Sequence, residues 1–173
     1  MTEPAPLEDF PALYDAYFDR VYGYILCRVR DRAEADDVVS RVFERALRGF
    51  GGYRAKRGSL EVWLFAIARN AVRDQYRSWW RRWTRPLEEA EALVSRLPGA
   101  HESLENKEER DRLLDAVSGL DAREKDILGL KFQARLTNRE ISGVLRLKES
   151  HVAVLIFRAV RKLKDALGED VKP

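Results

Sequence analysis

Five arginines stand four residues apart near the middle of the chain: Arg69, Arg73, Arg77, Arg81 and Arg85. On a helix that spacing drifts only slowly around the axis, so the row forms one basic stripe. Asp74 is the one acidic residue among its first members. Like charges at this spacing cost an isolated helix roughly a few tenths of a kcal/mol per pair. A nucleic-acid backbone is the natural compensation, because phosphates bind guanidinium groups and release counterions. Tyr76, Trp79, Trp80 and Trp83 lie beside the row, and aromatic rings among arginines suit unpaired bases, which stack on any ring. Packing of the tryptophans against a second module is an equally good account of those rings.

A second patterned stretch is ADDVVSRVFERA, residues 35–46. Asp36, Asp37, Ser40 and Arg41 fall off the apolar positions and make a polar, partly acidic strip. Its residue types alone fit a solvated helix face. Catalytic chemistry finds no purchase. His101 and His151 stand fifty residues apart with no ligand partner at metal spacing, so neither a metal nor another cofactor is expected. There is no glycine-rich phosphate loop and no nucleophile elbow, so the chain is read as not an enzyme. The single Cys27 has no disulfide partner, which fits a reducing compartment, and its place on an apolar helical face predicts burial.

The elements that must hold these residues are helices. Phe10, Leu13, Tyr14, Tyr17, Phe18, Val21, Tyr22, Ile25, Leu26 and Val29 recur at steps of three and four, predicting a helix from about Leu7 to Val29. Asp31 and Glu34 have capping-box spacing ahead of a helix over 32–50, with Ala35, Val38, Val39, Val42, Phe43, Ala46, Leu47 and Phe50 inward. Gly51-Gly52 should end it through a left-handed cap. Ser59 can cap a third helix whose inner face carries Leu60, Trp63, Leu64, Ile67, Ala68, Ala71 and Val72. It runs to the break at Thr84-Arg85-Pro86. After an acidic, proline-bearing stretch, Leu113, Leu114, Val117 and Leu120 predict a short helix. Asp121 with Glu124 opens the next, carrying Ile127, Leu128 and Phe132. Thr137 with Glu140 opens a short helix with Ile141, Val144 and Leu145. The turn Arg146-Leu147-Lys148 then leads to a last helix, about Glu149 to Leu167, closed by Gly168. Two helices joined so tightly make a helix-turn-helix.

The expected fold is therefore all-α: two small helical domains joined by a linker, the second a helix-turn-helix domain. The boundaries fall at 1–85, 86–106 and 107–173. Charge follows the same division. The first segment holds 16 Lys and Arg against 12 Asp and Glu, residues 86–110 hold 3 against 7, and residues 111–173 hold 13 against 10. Two basic blocks around an acidic tether suggest modules that share an anionic partner. No window approaches the ~18 uninterrupted apolar residues of a membrane span. The start MTEPAPLEDF lacks the basic and apolar regions of a secretory signal, so a cytoplasmic protein is expected.

ADDVVSRVFERAL, followed by YRAKRGSLEVWLFAIARNAVRDQYR, resembles the first conserved domain of the extracytoplasmic-function sigma factors. LDAREKDILGLKFQARLTNREISGVLRLKESHVAVLIFRAVRKLKDAL resembles their second, DNA-binding domain. The similarity spans nearly the whole chain outside the linker and the N-terminal tip. It implies a transcription initiation subunit whose partners are core RNA polymerase, promoter DNA and an anti-sigma factor. By the same resemblance Asp36, Asp37, Ser40 and Phe43 correspond to the polymerase-docking surface. The loop from Tyr53 to Ser59, with Arg54, Lys56 and Arg57, would capture a flipped base of the downstream promoter element, backed by Trp63 and Asn70. Arg69, Arg73, Asp74 and Arg77 would track the non-template strand.

In the second domain, Thr137, Arg139, Lys148, Glu149, Ser150, His151, Arg158, Arg161 and Lys162 are the expected DNA contacts. The family usually has glycine in the turn, where this chain has Arg146, and a polar recognition helix, where this chain has Ala153, Val154, Leu155 and Phe157. Apolar side chains can touch only a thymine methyl among base edges. That face also fits a protein partner, an anti-sigma factor or a second copy of the chain in a homo-oligomer. Two other functions share these features: a stand-alone helix-turn-helix regulator, and a sigma-like protein-interaction module.

Overall fold

A computed structural model of the chain describes residues 9–29, 32–82, 116, 117 and 119–168, with the side chains of 57 and 78–82 outside that set. Every regular element among the described residues is helical. A first group holds α1 (Phe10–Leu26), α2 (Arg32–Phe50) and α3 (Leu60–Arg82), with a 3-10 turn over Ala55–Arg57. A second holds α4 (Ala122–Leu128), a π-helical turn (Gly129–Gln133), α5 (Asn138–Leu145) and α6 (Glu149–Leu167). The expectations placed on Leu7, Asp31, Trp79, Trp80, Trp83, Arg81, Arg85, the 86–106 linker, His101, Leu113 and Leu114 lie outside the described backbone or side chains.

The first group is built on α2, whose Ala35, Val38, Val42 and Ala46 are wholly buried at steps of three and four. They meet Leu13, Val21 and Ile25 of α1 and Leu64, Ala68, Ala71 and Val72 of α3 in one core. Each fully buried Val, Ile or Leu contributes about 1.5–3 kcal/mol of transfer free energy. Tyr14 and Phe18 close the end of this core against Phe43, with ring centroids 4.6 and 6.1 Å away.

Four details differ from the sequence expectations. α1 stops at Leu26, and Cys27 in the turn beyond it is exposed, because the apolar face ends where the helix does. Leu47 is 45% exposed, since it lies one position past Ala46 and about a quarter-turn off the buried stripe. Gly51 and Gly52 follow α2, but neither takes a positive φ. Right-handed turn bonds close the helix instead: the Gly52 N–H donates to the Gly49 carbonyl and the Tyr53 N–H to the Phe50 carbonyl, both at 3.0 Å. Phe132 is 59% exposed, because the π turn inserts an extra residue and rotates its side chain off the buried face.

In the second group both capping boxes form. Asp121 accepts from the Arg123 and Glu124 N–H groups while Glu124 reaches back to the Asp121 N–H. Thr137 and Glu140 do the same at α5. Arg146 makes the turn in the left-handed region at φ 55, ψ 48, and Gly168 closes α6 at φ 71. Ile127, Leu130, Leu136, Ile141, Val152 and Ala159 fill the interior, which is continuous with that of the first group.

Candidate nucleic-acid interface

On α3 the arginine row divides. Arg73 and Arg77 are exposed, as is Asn70. Arg69 is turned inward, its side chain 26% exposed, and its Nε donates to Asp126 Oδ2 of the second group at 2.6 Å. Asp74 pairs with Arg45 of α2 at 2.9 Å; both side chains are nearly half exposed, so the pair contributes about 1 kcal/mol or less. The Tyr76 hydroxyl donates to the Arg28 carbonyl, and the Arg28 guanidinium sits 5.7 Å from the Tyr76 ring centroid.

The loop ahead of α3 is held from behind by aromatic packing. Tyr53 lies 5.4 Å from Trp63, which in turn lies 6.3 Å from Phe50. The Tyr53 hydroxyl donates to the Gly58 carbonyl at 3.0 Å and closes the loop on itself. Arg54 bridges the Gly51 and Tyr53 carbonyls, while Lys56 and Ser59 are exposed. Arg57 presents no described side chain. Glu61 in the first turn of α3 accepts from the Tyr17 hydroxyl at 2.6 Å, anchoring this end of the helix to α1. Burial works to raise the Glu61 carboxyl, but the Tyr17 bond and its own backbone hold it below the usual range. Burial and the same bond push Tyr17 up to about 12.

On α2, Asp36, Asp37 and Ser40 are exposed on the face away from the core, while Phe43 is buried beneath Tyr14 and Phe18. Arg41 crosses to α3, where its Nη2 donates to Gln75 at 2.5 Å.

In the helix-turn-helix, Arg139, Lys148, Glu149, Ser150, His151, Arg158 and Arg161 are exposed. Thr137 spends its hydroxyl on the α5 cap, and Lys162 is bonded to Glu124 at 2.9 Å. Ala153 is exposed, Val154 is 45% and Phe157 67% exposed, and Leu155 is half-buried.

A polar cluster that no sequence motif marks lies at the seam between the groups. Asp126, in the last turn of α4, is 6% exposed. Its carboxylate accepts from the Tyr24 hydroxyl at 2.5 Å and from Arg69 at 2.6 Å, and Arg28 Nε stands 3.7 Å away. Arg28 is itself buried, and that Nε has no hydrogen-bond partner. Burial, reinforced by the Asp126 charge, raises the Tyr24 phenol well above its ordinary 10. Beside this cluster, Arg20 of α1 donates from Nε and Nη2 to the Ala134 carbonyl at 2.9 and 2.6 Å, a cation at a helix C-terminus. Among the described residues no group of His, Cys, Asp and Glu could hold a metal ion, and no helix is long and apolar enough to cross a membrane.

Comparison with known proteins places both groups. Sigma-70 region 2 matches residues 13–83, and sigma-70 region 4 matches residues 116–165. The chain is 36% identical over 169 residues to the ECF RNA polymerase sigma factor BldN of Streptomyces coelicolor, covering 94% of this chain and 62% of that relative's length. It is 27% identical over 164 residues to the ECF RNA polymerase sigma factor SigK of Mycobacterium sp. (strain KMS), covering 94% of this chain and 84% of that one. Its fold is shared with the sigma factor RpoE of Bartonella quintana, solved with the anti-sigma factor NepR: the TM-score is 0.76 at 18% identity, over 94% of this chain and 99% of that one.

Proposed function

Since the chain belongs to the sigma-70 family, in its extracytoplasmic-function branch, we propose that it directs core RNA polymerase to particular promoters and opens them. The observation that carries this reading is the pairing, on one chain and in the family's order, of the exposed Arg73 and Arg77 on α3 with a helix-turn-helix. Phosphate contacts from Arg73 and Arg77 would hold the separated strand, and the loop between Tyr53 and Ser59 would receive an extruded base. The α5–α6 pair would lie on the upstream duplex, with Lys148, His151 and Arg158 at phosphates. Catalysis of polymerisation stays with the polymerase, and the chain works in the cytoplasm beside it. An anti-sigma factor is a further proposed partner.

Asp36, Asp37 and Ser40 offer the polymerase an acidic, hydrated face, with Phe43 supporting it from below. Co-elution with core polymerase on size exclusion tests this. The wild-type chain joins the polymerase peak, and Asp36→Lys combined with Asp37→Lys leaves it while keeping its helical circular dichroism. Undiminished binding by that variant would overturn the docking assignment.

A further inference from the structure

α5 is entered and left by the same three-residue turn. Arg135, Leu136 and Thr137 precede it, and Arg146, Leu147 and Lys148 follow it. In each turn the leucine re-enters the interior: Leu136 is buried, and Leu147 is half-buried against the core. The last residue of each is the N-cap of the helix that comes next. Reversing the chain this tightly puts the first residue in the left-handed region, at φ 54 for Arg135 and φ 55 for Arg146. Backbone bonds hold both turns closed. The Leu136 N–H donates to the Leu130 carbonyl and the Leu147 N–H to the Ser142 carbonyl, each at 3.0 Å.

Glycine is the usual residue at such a closure, because a Cβ there crowds the following carbonyl oxygen. At the other positive-φ positions among the described residues the chain does use glycine, Gly58 and Gly168. The two ends of α5 carry a side chain in that conformation instead, and both times it is arginine. Nothing nearby compensates for it. Both residues are exposed, and neither guanidinium has a hydrogen-bond or ion-pair partner among the described residues. Backbone strain kept at a surface position without an internal contact points to a ligand outside the chain. A planar guanidinium with all its donors open suits a phosphate.

The seating of the helix pair says which phosphates. In a helix-turn-helix the first helix crosses the DNA backbone while the second enters the major groove. α5 is that first helix, and its eight residues span about 12 Å, close to the roughly 12 Å width of the groove. Arginines at its two ends then overhang the two groove walls. We propose that Arg135 and Arg146 form a phosphate clamp on the upstream duplex, one guanidinium to each strand. The duplex rests on the promoter-binding reading above. The clamp reads no bases; it fixes the register and tilt at which α6 enters the groove. Its two arginines add to the contacts expected from Arg139, Lys148 and His151.

The full chain carrying Arg135→Gly and Arg146→Gly tests this against two other variants. Arg48→Ala with Arg123→Ala removes the same charge from exposed positions elsewhere, and Arg135→Lys with Arg146→Lys keeps the charge in place. Binding to a fluorescent mixed-sequence duplex is measured between about 50 and 200 mM salt, with run-off transcription by core polymerase alongside. Glycine relieves the backbone, so the double glycine variant keeps its helical content and its urea midpoint rises. Its duplex affinity nonetheless falls about tenfold at the low-salt end, and the slope of log affinity against log salt shrinks by about 1.8, or about 0.9 for each phosphate lost. The lysine variant retains most of the slope, and the alanine variant loses less than half as much as the glycine one. The proposal is overturned if the glycine variant keeps the wild-type affinity and slope, if the alanine variant loses as much, or if the wild-type chain does not bind the duplex at low salt. Absence of transcript from the wild-type chain, with the expected loss of slope in duplex binding, would count against the promoter reading and leave the clamp standing.

Discussion

Asp126 and Arg69 lie 57 residues apart in sequence and meet at 2.6 Å across the seam between two helical groups. Tyr24 joins them from a third element, donating its hydroxyl to the same carboxylate. One buried acid thus ties α1, α3 and α4 together, and its partners include Arg69, the first residue of the arginine row.

The seam is expected to be sensitive to alkali. Burial first, and the Asp126 charge second, raise the Tyr24 phenol well above 10, so the folded chain keeps its proton longer than the unfolded chain does. A raised value of this kind stabilises fully below pH 10, and the stabilisation is lost as pH rises through the folded value. Urea midpoints measured from pH 8 upward fall through this range in the wild type. Tyr24→Phe starts less stable and falls less steeply, and parallel curves would contradict the assignment.

The turn of the helix-turn-helix is expected to improve on substitution. Arg146 sits at φ 55, ψ 48, a conformation costing a non-glycine residue about 1–2 kcal/mol. Arg146→Gly raises the urea unfolding free energy by about 1 kcal/mol, and a lower value would mean that the side chain contributes more than its backbone costs.

The capping box at α4 gives an acid-side counterpart. Hydrogen bonds from the backbone, Glu124 N–H foremost, hold the Asp121 carboxyl below its ordinary range against the opposing effect of burial. A lowered value stabilises above the unfolded pKa and the contribution disappears as pH falls through the folded one. Asp121→Ala costs about 1 kcal/mol at pH 7 and little at pH 2. An equal loss at both pH values would point to a packing effect instead.

Val154 and Phe157 stand exposed on α6 where a recognition helix usually carries polar groups. If this helix lies in the major groove, those side chains read thymine methyls. Duplexes selected from a random upstream pool then contain T·A pairs at the contact. Replacing those thymines with deoxyuridine weakens binding about fourfold per methyl, from ~0.8 kcal/mol per buried carbon. Val154→Ser narrows the difference; indifference of the wild type to the methyl would show that this face does not read bases.

What the sequence disclosed follows from single amphipathic faces. The steps of three and four along α2 and α6, and the two capping boxes, depend on neighbours within one helix and could be read directly. Tyr24 and Phe65 could not, though each is fully buried, because they lie on second faces that are covered only when the other group packs there. A helical wheel with one apolar stripe leaves such residues outside. The same limit applies to Arg69, which looks like another rung of the row until Asp126 arrives from across the seam. The exposure of Phe132 had no forewarning either, because nothing in GLKFQ marks a π turn that shifts the register.

Run-off transcription by the purified chain with bacterial core RNA polymerase, on a promoter library, decides whether the chain initiates at promoters through its arginine row. Transcripts are expected from a subset of promoters, depend on the chain, and fall at least about tenfold in an Arg73→Glu, Arg77→Glu variant that still co-elutes with polymerase. Transcripts unaffected by that double reversal, or none under conditions where the chain is bound to polymerase, would contradict it.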